Sequence, residues 1–347
     1  MSENTTPAGN EKPVSITEIT REGSLPDSRY IPMKCSRASR EMLTYNRHEI
    51  SPPMTMFRLR TRDCVVMGNR EITLSISVLD YGFCGAVCIT LVNHAENRER
   101  SQTKLYPFTL GSVGLPVSSQ TDDLMYRSEG VSVDVLRAPG KWHVRAYFER
   151  FDDVRSLYVN TVVEDMGSET AFSAVPVGKK DKKFLLRHGV YAMPASGKIV
   201  IGADVYELSS DSSIGWLERE RSNYGKIGEH SRLSISGFCG DVRFGLCASD
   251  SGVFTTENAL VFDGKTYRPE EMTIRRDDSI WYVSTPDEHI QLYLPIIAER
   301  TECIKLGPLR SERRREYGQC FGELVMFGER YTVSSAVGCG EHIIGKS

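Results

Sequence analysis

Apolar and polar residues alternate with a period of two along most of the chain. In residues 72–78, isoleucine, leucine and valine occupy every second position, with threonine and serine between them. The same alternation recurs at residues 131–135, 242–246 and 290–294. Because successive side chains of a strand point to opposite faces, this period predicts β-strands with one apolar and one polar face.

Short turn sequences separate the predicted strands, and helical patterns are scarce. Asp263-Gly264 is a strong hairpin signal between two apolar runs. Residues 39–48 could form a short helix, and residues 311–317 either another helix or a charged loop. No glycine-rich phosphate-binding pattern precedes a helix, which disfavours nucleotide-binding folds. Short strands with glycine turns predict a β-sandwich or β-barrel.

The length of 347 residues suggests two domains. Residues 1–28 are polar and are expected to form a flexible tail. The lysine-rich segment 177–183 precedes an apolar strand that begins at Phe184. We interpret it as a solvated linker, with an anion or membrane-surface contact as the alternative. This organisation predicts domains at residues 29–183 and 184–347.

Composition narrows the choice of partners. The net charge of −3 shows no basic excess, so a nucleic-acid partner is not expected. No apolar stretch approaches the length of a membrane helix, and no secretory signal begins the sequence, so we expect a soluble, cytoplasmic protein without stable membrane insertion. The nine cysteines form no framework and the histidines are scattered, so we expect no disulfides, metal site or cofactor.

An ordered series of motifs occupies the second half of the chain. They are Tyr-Ala-Met-Pro-Ala-Ser-Gly at 191–197, Ile-Gly-Trp at 214–216, Thr-Glu-Asn-Ala-Leu-Val-Phe-Asp-Gly-Lys at 256–265, Trp-Tyr-Val at 281–283, Gln-Leu-Tyr-Leu-Pro at 291–295, Tyr-Gly-Gln-Cys-Phe-Gly-Glu at 317–323 and Gly-Glu-His at 340–342. In this order and spacing, the chain resembles the family of domain of unknown function 2804. The resemblance runs from about residue 25 onward and is strongest after Phe184.

That family is similar to a wider lipocalin-like group that includes carotenoid hydratases and tocopherol cyclases. The resemblance implies an all-β fold of two tandem lipocalin-like antiparallel β-barrels with few short helices, and an apolar or isoprenoid-like ligand. One segment departs from the family pattern. Residues 217–235 lack its glycine-rich turn and paired tryptophans, which implies a cavity of different polarity or one that has lost its ligand.

The densest charge pattern of the second half is Glu-Arg-Glu-Arg at residues 218–221. In a strand, Glu218 and Glu220 share one face, whereas Arg219 and Arg221 share the other. One pair could point into a barrel and hold a ligand carboxylate or act as acid and base. Alternatively, the segment is an edge strand with solvated ion pairs.

Four further residues complete the candidate ligand-binding set. Glu257 and Asn258 precede the hairpin strand, where they could instead bond the backbone. Trp216 begins a motif, and Tyr81 could stack on a ligand in the first barrel, although both could equally fill a core. The basic run at 310–315 is expected to be a solvated loop, and no nucleophilic triad is present, so no catalytic residue is assigned.

Three functions remain open from these observations. The first is a protein that binds a lipid or another apolar small molecule in a barrel cavity. The second is a metal-independent hydratase, isomerase or cyclase that acts on an apolar or isoprenoid-like substrate. The third is a structural or interaction module whose barrel is filled by side chains.

Overall fold

A computed structural model describes residues 15–25, 34–47, 59–118, 121–177, 183–223, 229–250, 252–306 and 309–346. Strands make up nearly all of its regular structure. Up to residue 223 they are β1 (Ile16–Glu18), β2 (Gly23–Leu25), β3 (Cys35–Ala38), β4 (Leu43–Tyr45), β5 (Leu59–Gly68), β6 (Ile72–Asp80), β7 (Cys84–Asn93), β8 (Arg98–Pro107), β9 (Leu124–Ser128), β10 (Val131–Ala138), β11 (Lys141–Asp152), β12 (Arg155–Glu164), β13 (Ala171–Pro176), β14 (Phe184–Ile201), β15 (Asp204–Leu208) and β16 (Ile214–Asn223).

The rest of the chain continues the same pattern. Its elements are β17 (His230–Cys239), β18 (Val242–Ser249), a 3₁₀ helix (Gly252–Glu257), β19 (Ala259–Phe262), β20 (Lys265–Tyr267), β21 (Thr273–Asp277), β22 (Ile280–Ser284), β23 (Ile290–Pro295), β24 (Ala298–Leu306), β25 (Leu309–Met326) and β26 (Glu329–Lys346). In the part of the chain that the structure describes, no helix is long and apolar enough to cross a bilayer.

Two curled antiparallel sheets contain most of these strands, and we call them the first and second barrel. The first follows the order β8-β7-β6-β5-β16-β14-β12-β11-β10-β9, with β1, β3, β13 and β15 attached at its side. The second follows β20-β19-β18-β17-β26-β25-β23-β22-β21, with β24 paired to β25. Each sheet curls around its own apolar core, which is its lumen. The predicted all-β tandem-barrel fold is confirmed.

Several local predictions turn out differently. Residues 16–18 and 23–25 of the predicted tail form β1 and β2, which pair with β3 and β4, whereas residues 1–14 and 26–28 lie outside the described residues. Strand β4 crosses the described part of the first predicted helix, and β25 crosses the second. The prediction of a solvated loop at residues 310–315 is also wrong, because these residues belong to β25, which lies between β24 and β26 there.

The sheets divide the chain later than the predicted boundary at residue 184. Strands β14 and β16 pair with β12 and β5 of the first barrel, so the first sheet extends to Asn223. The second begins at His230. The proposed linker lysines at 179–182 fall outside the described residues. A division into two domains, at residue 184 or elsewhere, stays a prediction.

Two observations explain how sequence pattern becomes structure here. Asp263 and Gly264 both have positive φ, 47° and 76°, and close the two-residue hairpin between β19 and β20.

The polar face of β6, by contrast, is not in water. Thr73, Ser75 and Ser77 are almost completely buried, because this outer face of the first barrel packs against the second.

Candidate functional site

Strand β16 contributes to two separate interiors. It is a central strand, paired with β14 on one side and β5 on the other, so the edge-strand interpretation of residues 218–221 is wrong. Trp216, Glu218 and Glu220 face the second barrel, whereas Arg219 and Arg221 face the first lumen. The predicted alternation is therefore correct, and each of the two faces is buried against a different set of partners.

Glu218 accepts hydrogen bonds from three side chains. Arg232 of β17 donates from Nη1 and Nη2 at 2.8 Å each, Tyr191 of β14 donates at 2.8 Å and Ser234 of β17 at 2.6 Å. Burial alone would raise the pKa of Glu218, but the charge and hydrogen bonds of Arg232 hold this pKa below its ordinary value. The Glu218 carboxylate is thus ionised and fully engaged.

Glycine makes room for this arrangement. A Cβ atom at Gly189 would lie 2.3 Å from the ring of Tyr191, and one at Gly245 would lie 2.3 Å from the Tyr191 Cβ atom. Larger residues at these positions would displace the ring. Tyr191 can therefore lie flat between the two sheets and place its hydroxyl on Glu218.

Glu257 is the second predicted acid of the same cluster. At the end of the 3₁₀ helix, its Oε1 accepts from Arg187 Nη1 at 2.7 Å and from Arg232 Nε at 3.1 Å, and Ser249 also donates to it. Arg232 therefore bridges two carboxylates that the sequence placed far apart. The prediction singled out Glu218 and Glu257 but missed the arginines that join them.

A third carboxylate extends the cluster along β26. Glu341 lies 2.9 Å from Arg315 Nε and 3.2 Å from both Arg62 Nη2 and Arg313 Nη1. Burial opposes ionisation of Glu341, but Arg313 and the other arginines around it hold its pKa well below the ordinary value. Glu220 faces Arg313 and Arg187, and they lower its pKa to about 2 against the effect of burial.

Together these residues form what we call the inter-barrel ionic layer. Its members are five arginines and five glutamates: Arg62, Arg187, Arg232, Arg313, Arg315, Glu218, Glu220, Glu257, Glu302 and Glu341. The formal charges balance, and each side chain is at most 13% exposed. The Nε atoms of Arg62, Arg187 and Arg315 make no hydrogen bond to any described residue, so the layer is held by charge pairing as well as by hydrogen bonds. Such balanced, buried pairing suits a rigid joint between barrels better than proton transfer.

Glu302 differs from the other four glutamates of the layer. Its Oε1 lies 3.4 Å from Arg315 Nη1 but makes no hydrogen bond to any described residue. Burial raises the pKa of this carboxyl, and the attraction of Arg62 and Arg313 does not offset that effect.

We expect Glu302→Gln to keep or raise the melting temperature at neutral pH, because burial disfavours the Glu302 carboxylate and the amide keeps its shape without the charge. Glu341→Gln, the matched control, should lower it clearly by leaving arginines unpaired. Thermal unfolding followed by circular dichroism measures both. Equal losses from the two variants would contradict this interpretation of Glu302.

Trp216 lies beside the ionic layer and closes it off from a surface cleft. One face of β16 carries Ile214, Trp216 and Glu218 in this order. Ile214 lines the cleft, Trp216 lies in the apolar layer next to it, and Glu218 belongs to the ionic layer. The indole of Trp216 is completely buried, and its Nε1 has no hydrogen-bond partner among the described residues. Trp216 thus packs between the barrels and does not line the first lumen.

The cleft between the barrels has a volume of about 740 Å³. Two hydrogen bonds cross it. Arg70 donates to Ser334 at 3.1 Å, and Gln319 Nε2 donates to the carbonyl of Asn69 at 3.0 Å. These bonds join the first barrel to the second at the rim of the cleft.

The two remaining candidates hold local structure. Asn258 accepts from the Ser249 amide at 2.8 Å and donates to the Met272 carbonyl at 3.3 Å. Tyr81 belongs to a small apolar cluster with Leu79 and Cys84, separate from the first lumen. Asn258 therefore lies beside Glu257, to which it is linked through Ser249, whereas Tyr81 lies apart from the other candidates.

The first lumen has an apolar wall and a charged end. Valine, leucine and isoleucine side chains from six strands line it: Val65, Ile76, Val78, Leu124, Val133, Val135, Val144 and Leu217. Asp63 and Arg219 lie at its end, with Arg221 beyond them. Arg221 donates to Asp63 and to the carbonyls of Arg62 and Pro116 at 3.0 Å.

The second lumen also contains a charged group, and its partners are complete. Glu316 accepts from Trp281 Nε1 at 2.7 Å and from Arg276 Nε at 2.9 Å, and it lies 2.8 Å from Arg314. Across the described ranges, no group of three or more histidine, cysteine, aspartate or glutamate side chains is placed to hold a metal ion.

Comparisons with known proteins identify relatives of the fold. Residues 17–346 match the family described as Domain of unknown function (DUF2804), and no curated protein matches the chain. The chain is similar to kievitone hydratase from Nectria haematococca, with a TM-score of 0.50 and 10% identity over 82% of this chain and 89% of that one. CghA gives a TM-score of 0.46 and 10% identity over 86% and 91%.

Proposed function

The chain belongs to the DUF2804 family, and we propose that it binds an apolar small molecule in the lumen of its first barrel. The observation that carries this proposal is the composition of that lumen. Eight apolar side chains form its wall, and Arg219 and Asp63 form its polar end. A mostly apolar wall with a few placed polar groups is typical of small-molecule sites.

The inter-barrel acids give less support to an enzyme. Glu218 and Glu257 are saturated by arginine and hydroxyl donors. A carboxylate that already accepts this many hydrogen bonds is a weak general base, and the lowered pKa of Glu218 also disfavours this residue as a general acid. The fold itself is compatible with catalysis, since the similar structure from Nectria haematococca is a kievitone hydratase.

A specific observation favours a second candidate, the structural module with filled barrels. The space left beside Val144 and Arg219 is about 10 Å³, the volume of roughly one water molecule. An apolar ligand must therefore push the valine and leucine side chains of the lumen apart. If they do not yield, the first barrel is a solid core.

The three tryptophans allow a direct test, because each lies in a different compartment. Trp142 packs in the first lumen, Trp281 in the second, and Trp216 between the barrels. We expect brominated oleyl alcohol to quench the fluorescence of the wild-type protein and of Trp216→Phe and Trp281→Phe. The quenching should disappear in Trp142→Phe, since bromine quenches only at short range.

Thermal unfolding with and without oleyl alcohol serves as the independent control. Binding to the folded state should raise the melting temperature of the wild-type protein in proportion to ligand concentration. Quenching that persists in Trp142→Phe would place the ligand elsewhere and overturn the proposal. No quenching together with no thermal shift would favour the filled-barrel module.

A further inference from the structure

Arg219 is a buried arginine with unused hydrogen-bond donors. Its side chain is 7% exposed, and its Nε and Nη1 atoms make no hydrogen bond to any described residue. Nε lies 3.3 Å from Asp63 Oδ2, close enough for attraction but without hydrogen-bond geometry. Buried donors of this kind are costly unless something accepts from them.

The neighbouring charges do not meet this need. Asp63 also accepts a hydrogen bond from Arg221, which donates to two backbone carbonyls as well. Glu41 and Asp122 attract Arg219 electrostatically, yet each carboxylate accepts a hydrogen bond from Ser118. Burial, followed by the repulsion of Arg221, lowers the pKa of Arg219 despite these acids.

The position of Arg219 shows what kind of partner would fit. The side chain borders two small cavities, the apolar lumen on one side and a space with apolar and charged lining at the barrel end on the other. Glu41, Arg187 and Arg221 also line the second space. His188 lines it too, and burial lowers its pKa to about 4, so His188 adds no positive charge at neutral pH. A ligand that reaches Arg219 must therefore combine an apolar body with one compact acceptor group.

We infer that Arg219 binds the carboxylate of an apolar acid whose hydrocarbon part occupies the first lumen. The planar guanidinium matches a carboxylate through two parallel hydrogen bonds. Asp63 beside it disfavours a dianionic head such as a phosphate monoester, because the second charge would be repelled at close range. This inference rests on the proposed function and names the ligand class of the same site.

Oleate and oleyl alcohol form the matched pair that tests it, since they share one hydrocarbon tail. In the wild-type protein we expect oleate to bind about 10- to 100-fold more tightly, as charged hydrogen bonds in a buried site are worth about 1.5–3 kcal/mol. Arg219→Gln should remove the preference, so that oleate affinity falls by much more than alcohol affinity and the two become similar. Arg275→Gln, at an exposed position, is the control.

A second measurement needs no variant. Oleate labelled with ¹³C at its carboxyl carbon reports its own ionisation by NMR, and in the complex its pKa should fall below that of free oleate because Arg219 favours the charged form. Equal wild-type affinities for oleate and the alcohol, or an oleate preference that survives in Arg219→Gln, would overturn the inference but leave the proposed function. Binding of neither ligand would overturn the proposed function itself.

Discussion

Replacing Arg232 by methionine is expected to lower the free energy of unfolding by about 3–5 kcal/mol. Arg232 donates to Glu218, Glu257 and Tyr191 from a completely buried position. Methionine preserves most of the volume but leaves two carboxylates facing each other without their shared cation. A complete buried ionic network adds little stability compared with an apolar core of the same size. Removing only one partner is strongly destabilising, because it leaves a buried charge without a counter-charge.

Chemical denaturation in urea measures this loss directly. The matched control is Arg275→Met, whose side chain is 68% exposed and whose replacement should change stability by at most about 0.5 kcal/mol. If Arg232→Met were no more harmful than this control, the inter-barrel ionic layer would not be the joint we describe. Adding Glu218→Gln to Arg232→Met should recover part of the loss by removing one unpaired charge.

Acidification is expected to destabilise the protein in two successive steps. His94 and His188 are buried, and burial lowers the pKa of each from 6.5 to about 4. Their neutral forms therefore contribute stability above pH 6.5 that is lost as the pH falls through about 4. Each histidine accounts for at most about 3.5 kcal/mol, since one pKa unit corresponds to about 1.4 kcal/mol.

The second step comes from the carboxylates of the ionic layer. Arg313 and Arg187 hold the pKa of Glu220 at about 2 against burial, compared with an ordinary value of 4.5. Its stabilising effect is complete above pH 4.5 and disappears as the pH falls through about 2. Glu302 acts in the opposite direction, because its raised pKa favours the folded state when the carboxyl is protonated.

Melting temperatures recorded from neutral pH down to about pH 3 test this course. We expect a decline that begins below pH 6.5 and continues without a plateau. His94→Gln should make only the first part of this decline in melting temperature less steep, because glutamine does not titrate and Thr73 can still form a hydrogen bond with it. A melting temperature that stays constant from neutral pH to pH 4 would show that the two histidines do not titrate as their burial implies.

The fold was largely predictable because its signals are local. Alternation at residues 72–78 and the Asp263-Gly264 turn each depend on neighbouring residues, and both correspond to a strand or hairpin in the structure. The pairing of β14 was harder to predict. This strand follows a charged segment and contains a family motif, yet it pairs back onto β12, and such long-range pairing leaves no local mark.

The site was predictable only in part for the same reason. The alternation of Glu218 and Arg219 was visible, but the partners Arg187, Arg232 and Glu341 lie on other strands, and pairing between sheets depends on tertiary packing. One signal was available. From residue 73 to residue 77 the polar face of β6 carries only threonine and serine, and small hydroxyl side chains without charges suit a face that packs closely against another sheet.

The charges of the ionic layer also balance within each barrel. Arg62 and Arg187 accompany Glu218 and Glu220 in the first sheet, whereas Arg232, Arg313 and Arg315 accompany the three remaining glutamates in or next to the second. Every strand of the first sheet also precedes His230 in the chain. During synthesis, the first barrel is therefore complete before its partner emerges, and the face it exposes meanwhile includes a neutral set of hydrated charges. Such a face resists premature aggregation. When the second barrel docks later, water must be removed from these charges, and this desolvation costs free energy.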